Sequence, residues 1–224
     1  MALEGHRVVN SYSAGGPLWA GGSVGTQVAG AEPGRRELRK QQTRRHIMDA
    51  AHDLFEEVGY DDARTAEIAR RAGVSEPTVF RYFPTKADVA MAPFHEWVGR
   101  LTDQFIALLG DGTPYDATIA LMDAPDPVVL FGDRTRLALD RSLEQPELVS
   151  QVFWALDTAV RRLIPELARH RGVATGDVSA QLDAKLVVSV IEVSIRHWLT
   201  TDELDSPLAL VRACADRLRP ILDS

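Results

Sequence analysis

The stretch RTAEIARRAGVSEPTVFRYFPTKADV, residues 64–89, decides how this chain folds. Thr65 is suited to cap a short helix, because its hydroxyl can accept from the unpaired N–H groups of the first turn. Glu67 places negative charge at the positive end of that helix. Ile68, Ala69 and Ala72 give it one apolar stripe. Gly73 follows at the position where a left-handed residue ends a helix. Val74 fills the corner and Ser75 is placed to cap a second short helix, which tolerates Pro77 in its first turn and closes at Pro84. Two helices of about two turns, joined by a Gly-containing turn, read as helix-turn-helix.

The faces of the second helix say what it presents. At about 100° per residue, Val79 and Phe83 point together into a small core. Pro77, Thr78 and Arg81 cluster on the opposite side, with Phe80 and Tyr82 on the flanks. A face offering Thr, Arg and an aromatic hydroxyl suits contacts to phosphates and base edges. An amphipathic helix hairpin with a merely solvated face would share this spacing.

The pattern IAxxAGVSxxTxFxYFxxKxxV resembles the signature of the tetracycline-repressor (TetR-like) family of bacterial transcription regulators. Ile68, Ala69, Ala72, Gly73, Val74, Ser75, Thr78, Phe80, Tyr82, Phe83, Lys86 and Val89 carry it. Pro77 departs from the family's usual Gly, and Phe80 from its commoner Tyr. The proline removes a backbone N–H that would otherwise meet a phosphate. The resemblance implies an all-α protein: a three-helix DNA-binding head and a helical body that binds a small molecule and dimerises. It further implies that Lys86 and Tyr82 touch the DNA backbone. With the outward face of the second helix and the basic approach to the first, the DNA-facing candidates are Arg44, Thr65, Ser75, Pro77, Thr78, Arg81, Tyr82 and Lys86.

Working outward, residues 35–45 hold Arg35, Arg36, Arg39, Lys40, Arg44 and Arg45 against one Glu37. They read as a basic arm leading into the first helix and able to approach the DNA backbone or minor groove. Ile47, Ala50, Ala51, Leu54, Phe55 and Val58 follow with a helical period, and Gly59 is expected to stop the helix before a link from Tyr60 to Ala63. Residues 1–33 contain seven glycines and no periodicity, the composition of a disordered tail. They lack the charged start and unbroken apolar core of a signal peptide.

Beyond the motif, Thr85 and Asp88 are spaced as a capping box for a fourth helix, with Lys86 in its first turn and a break or kink expected at Pro93. The rest reads as helix throughout, about nine in all. Gly110 and Gly112 mark a stop, Pro114 and Pro127 mark starts, and a bend is expected at Pro165. Asp177 and Ser206 are placed to cap the last two helices. The expected organisation is a tail (1–33), a DNA-binding head (34–89) and a ligand-binding and dimerisation body (90–224).

Charge supports that division. The net charge is −7, yet residues 34–86 carry 11 Lys/Arg against 9 Asp/Glu while residues 87–224 carry 13 against 21. A mildly basic head on an acidic body is the asymmetry expected when only the head meets DNA. The single cysteine, Cys214, excludes an internal disulfide and fits a reducing cytoplasm. No apolar run is long enough to span a bilayer.

The resemblance implies that the last two helices pair with their copies in a homodimer, where Leu186, Val190, Ile195, Leu210, Val211 and Leu218 supply the apolar density. It also implies a cavity for an effector, which Trp97, Phe105, Phe153, Trp154 and Trp198 are candidates to line. Arg136, Glu192, Arg196 and His197 are candidates to orient a polar group there. No cofactor, metal or catalytic residue is expected: the histidines lack ligand spacing, and there is no GxSxG elbow or Walker-type loop. The expected function is a ligand-responsive repressor released from a palindromic operator. A helical protein–protein adaptor and an enzyme with a site assembled by folding are the alternatives.

Overall fold

In a computed structural model, the structure describes residues 34–123, 133–200 and 207–222. The described residues form nine α-helices and no strand, as the periodicity predicts. They are α1 (Arg35–Asp62), α2 (Thr65–Arg71), α3 (Glu76–Tyr82), α4 (Lys86–Leu109), α5 (Pro114–Asp123), α6 (Asp133–Glu144), α7 (Pro146–Arg171), α8 (Val178–Thr200) and α9 (Pro207–Leu222). The expected disordered tail, the start at Pro127 and the cap at Ser206 lie outside the described residues.

Helices α1 to α3 make the head. Ile47, Ala51, Leu54 and Phe55 of α1 close over Ile68 and Ala69 of α2 and over Val79 and Phe83, all buried. Gly73 turns the chain between α2 and α3 with φ 67°, a backbone region glycine enters without a Cβ penalty. Local details differ from expectation in three places. The basic segment is not an arm: Arg35 is already the first residue of α1. Gly59 breaks α1 with φ 82° and ψ 168°, but helix resumes at once, so Tyr60 to Asp62 are helical rather than a link. Arg64 precedes α2 in extended conformation, and Thr65 is its first helical residue, with no side-chain cap.

Helix α4 joins head to body. Its start carries a complete capping box, with Thr85 Oγ1 accepting from Asp88 N and Asp88 Oδ2 accepting from Thr85 N at 2.9 Å. It then runs unbroken through Pro93, and α7 through Pro165. In the body α4 packs against α5, α6 and α7, α7 against α8, and α8 against α9. Trp97, Phe105, Leu121, Leu148, Leu167 and Val187 are almost wholly enclosed. A second capping box, Thr113 with Asp116, opens α5. Asp177 Oδ1 accepts from Ser179 N at 2.8 Å as α8 begins. Arg171 at the end of α7 forks onto Asp183 of α8, whose carboxylate is 1% exposed. This pairing keeps a buried charge from being left alone.

Candidate nucleic-acid interface and body cavity

Helix α3 separates its two faces as the sequence predicts. Val79 and Phe83 face the head core, while Pro77 and Arg81 are exposed and Thr78 is half-buried. Ser75, just before α3, makes no cap to the backbone; its Oγ lies 2.9 Å from Thr78 Oγ1 instead. Arg81 stacks its guanidinium over Tyr82 at 5.6 Å from the ring centroid. Arg81 is exposed, and a stacked guanidinium keeps its in-plane donors for other partners. Phe80 is 45% exposed, a large apolar ring on the same small helix.

Several cations of the head face inward or are neutralised. Arg44 reaches Glu96 on α4 and lies over the Phe83 ring at 4.7 Å, so it ties α1 to the body instead of projecting toward DNA. Lys86 donates from Nζ to Tyr60 O at 2.7 Å and Asp61 O at 3.2 Å, and sits 4.3 Å over the Tyr60 ring. It therefore neutralises the carbonyls ending α1. Arg70 and Arg71 both bind Glu67, pulling its carboxyl down to about 2, and Arg71 also bridges to Glu57 of α1. Among the described residues, Arg64 and Arg81 make no ion pair. Thr65 is half-buried at the start of α2.

The head is fastened to the body by contacts that no local spacing announces. Tyr60 donates its hydroxyl to Glu147, and burial together with that carboxylate pushes its pKa well above the usual phenol value. Gln145 Nε2 donates to Asp61 at 3.0 Å, and Gln151 Nε2 to Asp88 at 3.0 Å. Arg134 of α6 reaches Asp49 of α1, and Arg141 lies over the Phe55 ring at 5.2 Å. The first turns of α7 thus hold both the end of α1 and the start of α4.

His95 lies in this joint, with Nε2 3.2 Å from Gln151 O and its ring 6.2 Å from that of Trp154. Burial lowers its pKa to about 4, against the smaller opposing pull of the Gln151 carbonyl and Asp88. The unfolded chain, with histidine near 6.5, takes up this proton first as pH falls. Stability is therefore complete above 6.5 and is lost progressively toward 4. From pH 6.5 to 5.5 the expected loss from this one group is roughly 1 kcal/mol. Urea unfolding at the two pH values should show His95→Gln losing less than wild type by that amount. Equal losses would contradict the assignment.

A cavity of about 200 Å³ lies in the body between α4, α6, α7 and α8. Phe94, Trp97, Val152, Phe153, Leu156 and Ile191 form much of its apolar wall. Glu192 and Arg196, paired at 2.7 Å, are its charged residues. Two of the five expected aromatics, Trp97 and Phe153, line it. Phe105 does not, and is buried in the core away from it. Trp154 stands outside the lining, beside His95, and the side chain of Trp198 is outside the described residues. Arg136 and His197 do not line it either.

The expected dimer set is divided by the fold. Val190, Ile195 and Val211 are 3%, 4% and 1% exposed within a single chain, so they pack the protomer's own core, and Ile195 also lines the cavity. Their helical phase turns them inward. Leu186, Leu210 and Leu218 are half-buried, Leu186 and Leu218 packed at the edge of that core. Leu182, Val193 and Ile221, which the apolar density did not single out, are 49%, 55% and 44% exposed. Leu182, Leu186 and Val193 recur at i, i+4 and i+11, and Cys214, Leu218 and Ile221 at i, i+4 and i+7. Each set is one stripe on one helix.

Residues 47–92 match the family model for bacterial regulatory proteins of the tetR family. The chain is 24% identical over 182 residues to the fatty acid metabolism regulator protein of Bacillus subtilis, covering 77% of this chain and 91% of that one. It is 26% identical over 179 residues to the transcriptional activator FasR of Mycolicibacterium smegmatis, covering 78% and 80%. Among solved structures, GusR of Salmonella enterica shares the fold with a TM-score of 0.53 at 18% identity, covering 81% of this chain and 96% of that one. Among the described residues no helix is long and apolar enough to cross a membrane.

Proposed function

Because the chain is a TetR-like DNA-binding transcription regulator, we propose that it acts in the cytoplasm as a homodimeric repressor of a palindromic operator. A small amphipathic effector filling the body cavity would release it. One observation carries the reading: α3 and its C-cap bury Val79 and Phe83 and leave Arg81 exposed and Thr78 half-buried, with Arg81 making no ion pair among the described residues. In this reading residues 34–89 are the DNA-binding unit and residues 90–224 the effector and dimer unit. Arg81 reads a base edge, Thr78 a thymine methyl or a phosphate, and Ser75, Pro77, Tyr82 and Thr65 flank the backbone.

The cavity and the joint share a helix, which supports the coupling. Val149, Val152 and Phe153 of α7 line the cavity, while Glu147 and Gln151 of the same turns hold Tyr60 and Asp88. An effector that shifts these turns disturbs how the head is seated. It acts only through different affinities for the two seatings, typically a coupling of about 1–3 kcal/mol. Its expected chemistry is an apolar body with one polar end, matching the apolar wall and the Glu192–Arg196 pair; the name of the Bacillus subtilis relative points the same way. Medium-chain and aromatic carboxylic acids are the first probes. A compound that raises the melting temperature should weaken operator binding roughly tenfold, and Phe153→Glu should abolish both effects. Stabilising compounds that all leave operator affinity unchanged would contradict the effector reading.

A further inference from the structure

A trough of about 660 Å³ opens where α1, α4 and α6 meet, sharing no residue with the apolar cavity. Four guanidinium groups from three helices line it: Arg44 and Arg45 of α1, Arg100 of α4 and Arg134 of α6. Two carboxylates answer them, with Glu96 taken by Arg44 and Asp49 by Arg134. Arg45 and Arg100 are exposed and make no ion pair among the described residues. The lining therefore carries an excess of two positive charges, although residues 87–224 are strongly acidic. Gathering like charges in one concavity is unfavourable unless an anion shares it. Guanidinium forks match phosphate oxygens bidentately.

We propose that this trough is a binding site for a small anion bearing a diphosphate group. The trough is wide enough for a nucleoside diphosphate, and an occupant would touch α1 of the head together with α4 and α6 of the body. Duplex DNA is the competing occupant, and the last arm of the test separates it from a small anion. Arg100 lies 14 residues beyond the first residue of α4, roughly 21 Å along the helix at 1.5 Å per residue.

The test is calorimetric titration of the full chain at constant ionic strength with ADP, inorganic pyrophosphate and adenosine. ADP and pyrophosphate are expected to bind saturably, one per chain, and adenosine is not. Arg100→Ala should weaken both anions roughly tenfold or more, the loss of one charged hydrogen-bonded contact. Arg100→Lys should recover part of it, and both variants should melt like wild type, since Arg100 is exposed. No saturable binding at millimolar ADP, equal binding of adenosine, or an Arg100→Ala affinity equal to wild type would each overturn the proposal. So would an Arg100→Ala variant whose affinity for random duplex DNA falls as far as its affinity for ADP.

Discussion

Leu182→Glu combined with Val193→Glu is expected to yield a folded monomer whose operator affinity is lower by on the order of a hundredfold or more. Both side chains are about half exposed in the single chain, so carboxylates there leave the protomer core intact. In the proposed dimer the same positions would be enclosed, and an unpaired carboxylate in an apolar interface is strongly unfavourable. Stable interfaces enclose roughly 800 Å² per partner. Helices α8 and α9 pack on each other, and Leu182, Val193 and Ile221 are the large apolar side chains they leave exposed among the described residues besides Val178. A monomer binds one half-site and loses the advantage of a tethered second head. Sedimentation would show the change of state, and a circular dichroism melt would show that the fold persists. A double variant that sediments with wild type would place the interface elsewhere.

Arg81→Ala and Lys86→Ala are expected to fail in different ways. Arg81 stands outward on α3. Its guanidinium can bind guanine O6 and N7 together, so its loss should cost roughly 1–3 kcal/mol and relax preference at one position per half-site. Lys86 matches a family position that touches phosphate, but here its ammonium serves Tyr60 O, Asp61 O and the Tyr60 ring. Its removal should lower folding stability by about 1–2 kcal/mol, because the carbonyls ending α1 lose a charged donor. It should weaken good and poor duplexes alike. Competition against single-base variants of the operator, alongside urea unfolding, separates the two. If Arg81→Ala weakens all duplexes uniformly while Lys86→Ala alters base preference, the roles are reversed.

What could be read from the sequence was what depends on neighbours in the chain. Gly73, Val79, Phe83 and the Thr85–Asp88 box act within a few residues, so spacing alone places them. Boundaries are softer. Whether Arg64 or Thr65 precedes α2 turns on one residue's backbone, and Gly59 interrupts α1 without ending it. The inward roles of Arg44 and Lys86 were not legible, because their partners Glu96 and Tyr60 lie 52 and 26 residues away. The Tyr60–Glu147 contact spans 87. For the same reason aromatic character could not tell Trp97, which lines the cavity, from Phe105, which fills the core. The dimer candidates failed on phase. Apolar density pointed to α8 and α9, but Val190, Ile195 and Val211 belong to the protomer's own core. The outward stripe shows only when both helices are docked.

Sequence-selective recognition by α3 of a two-fold duplex is the central claim, and selection from a random duplex library by the purified full-length chain tests it most directly. The recovered duplexes are expected to share a palindrome whose half-site centres lie roughly 34–36 Å apart, or somewhat farther if the DNA deforms. Arg81→Ala should recover a pool degenerate at one symmetric pair of positions. A recovered pool with no enrichment over the input, from a chain that shows no salt-sensitive retention on duplex DNA, would contradict the account and favour a helical adaptor.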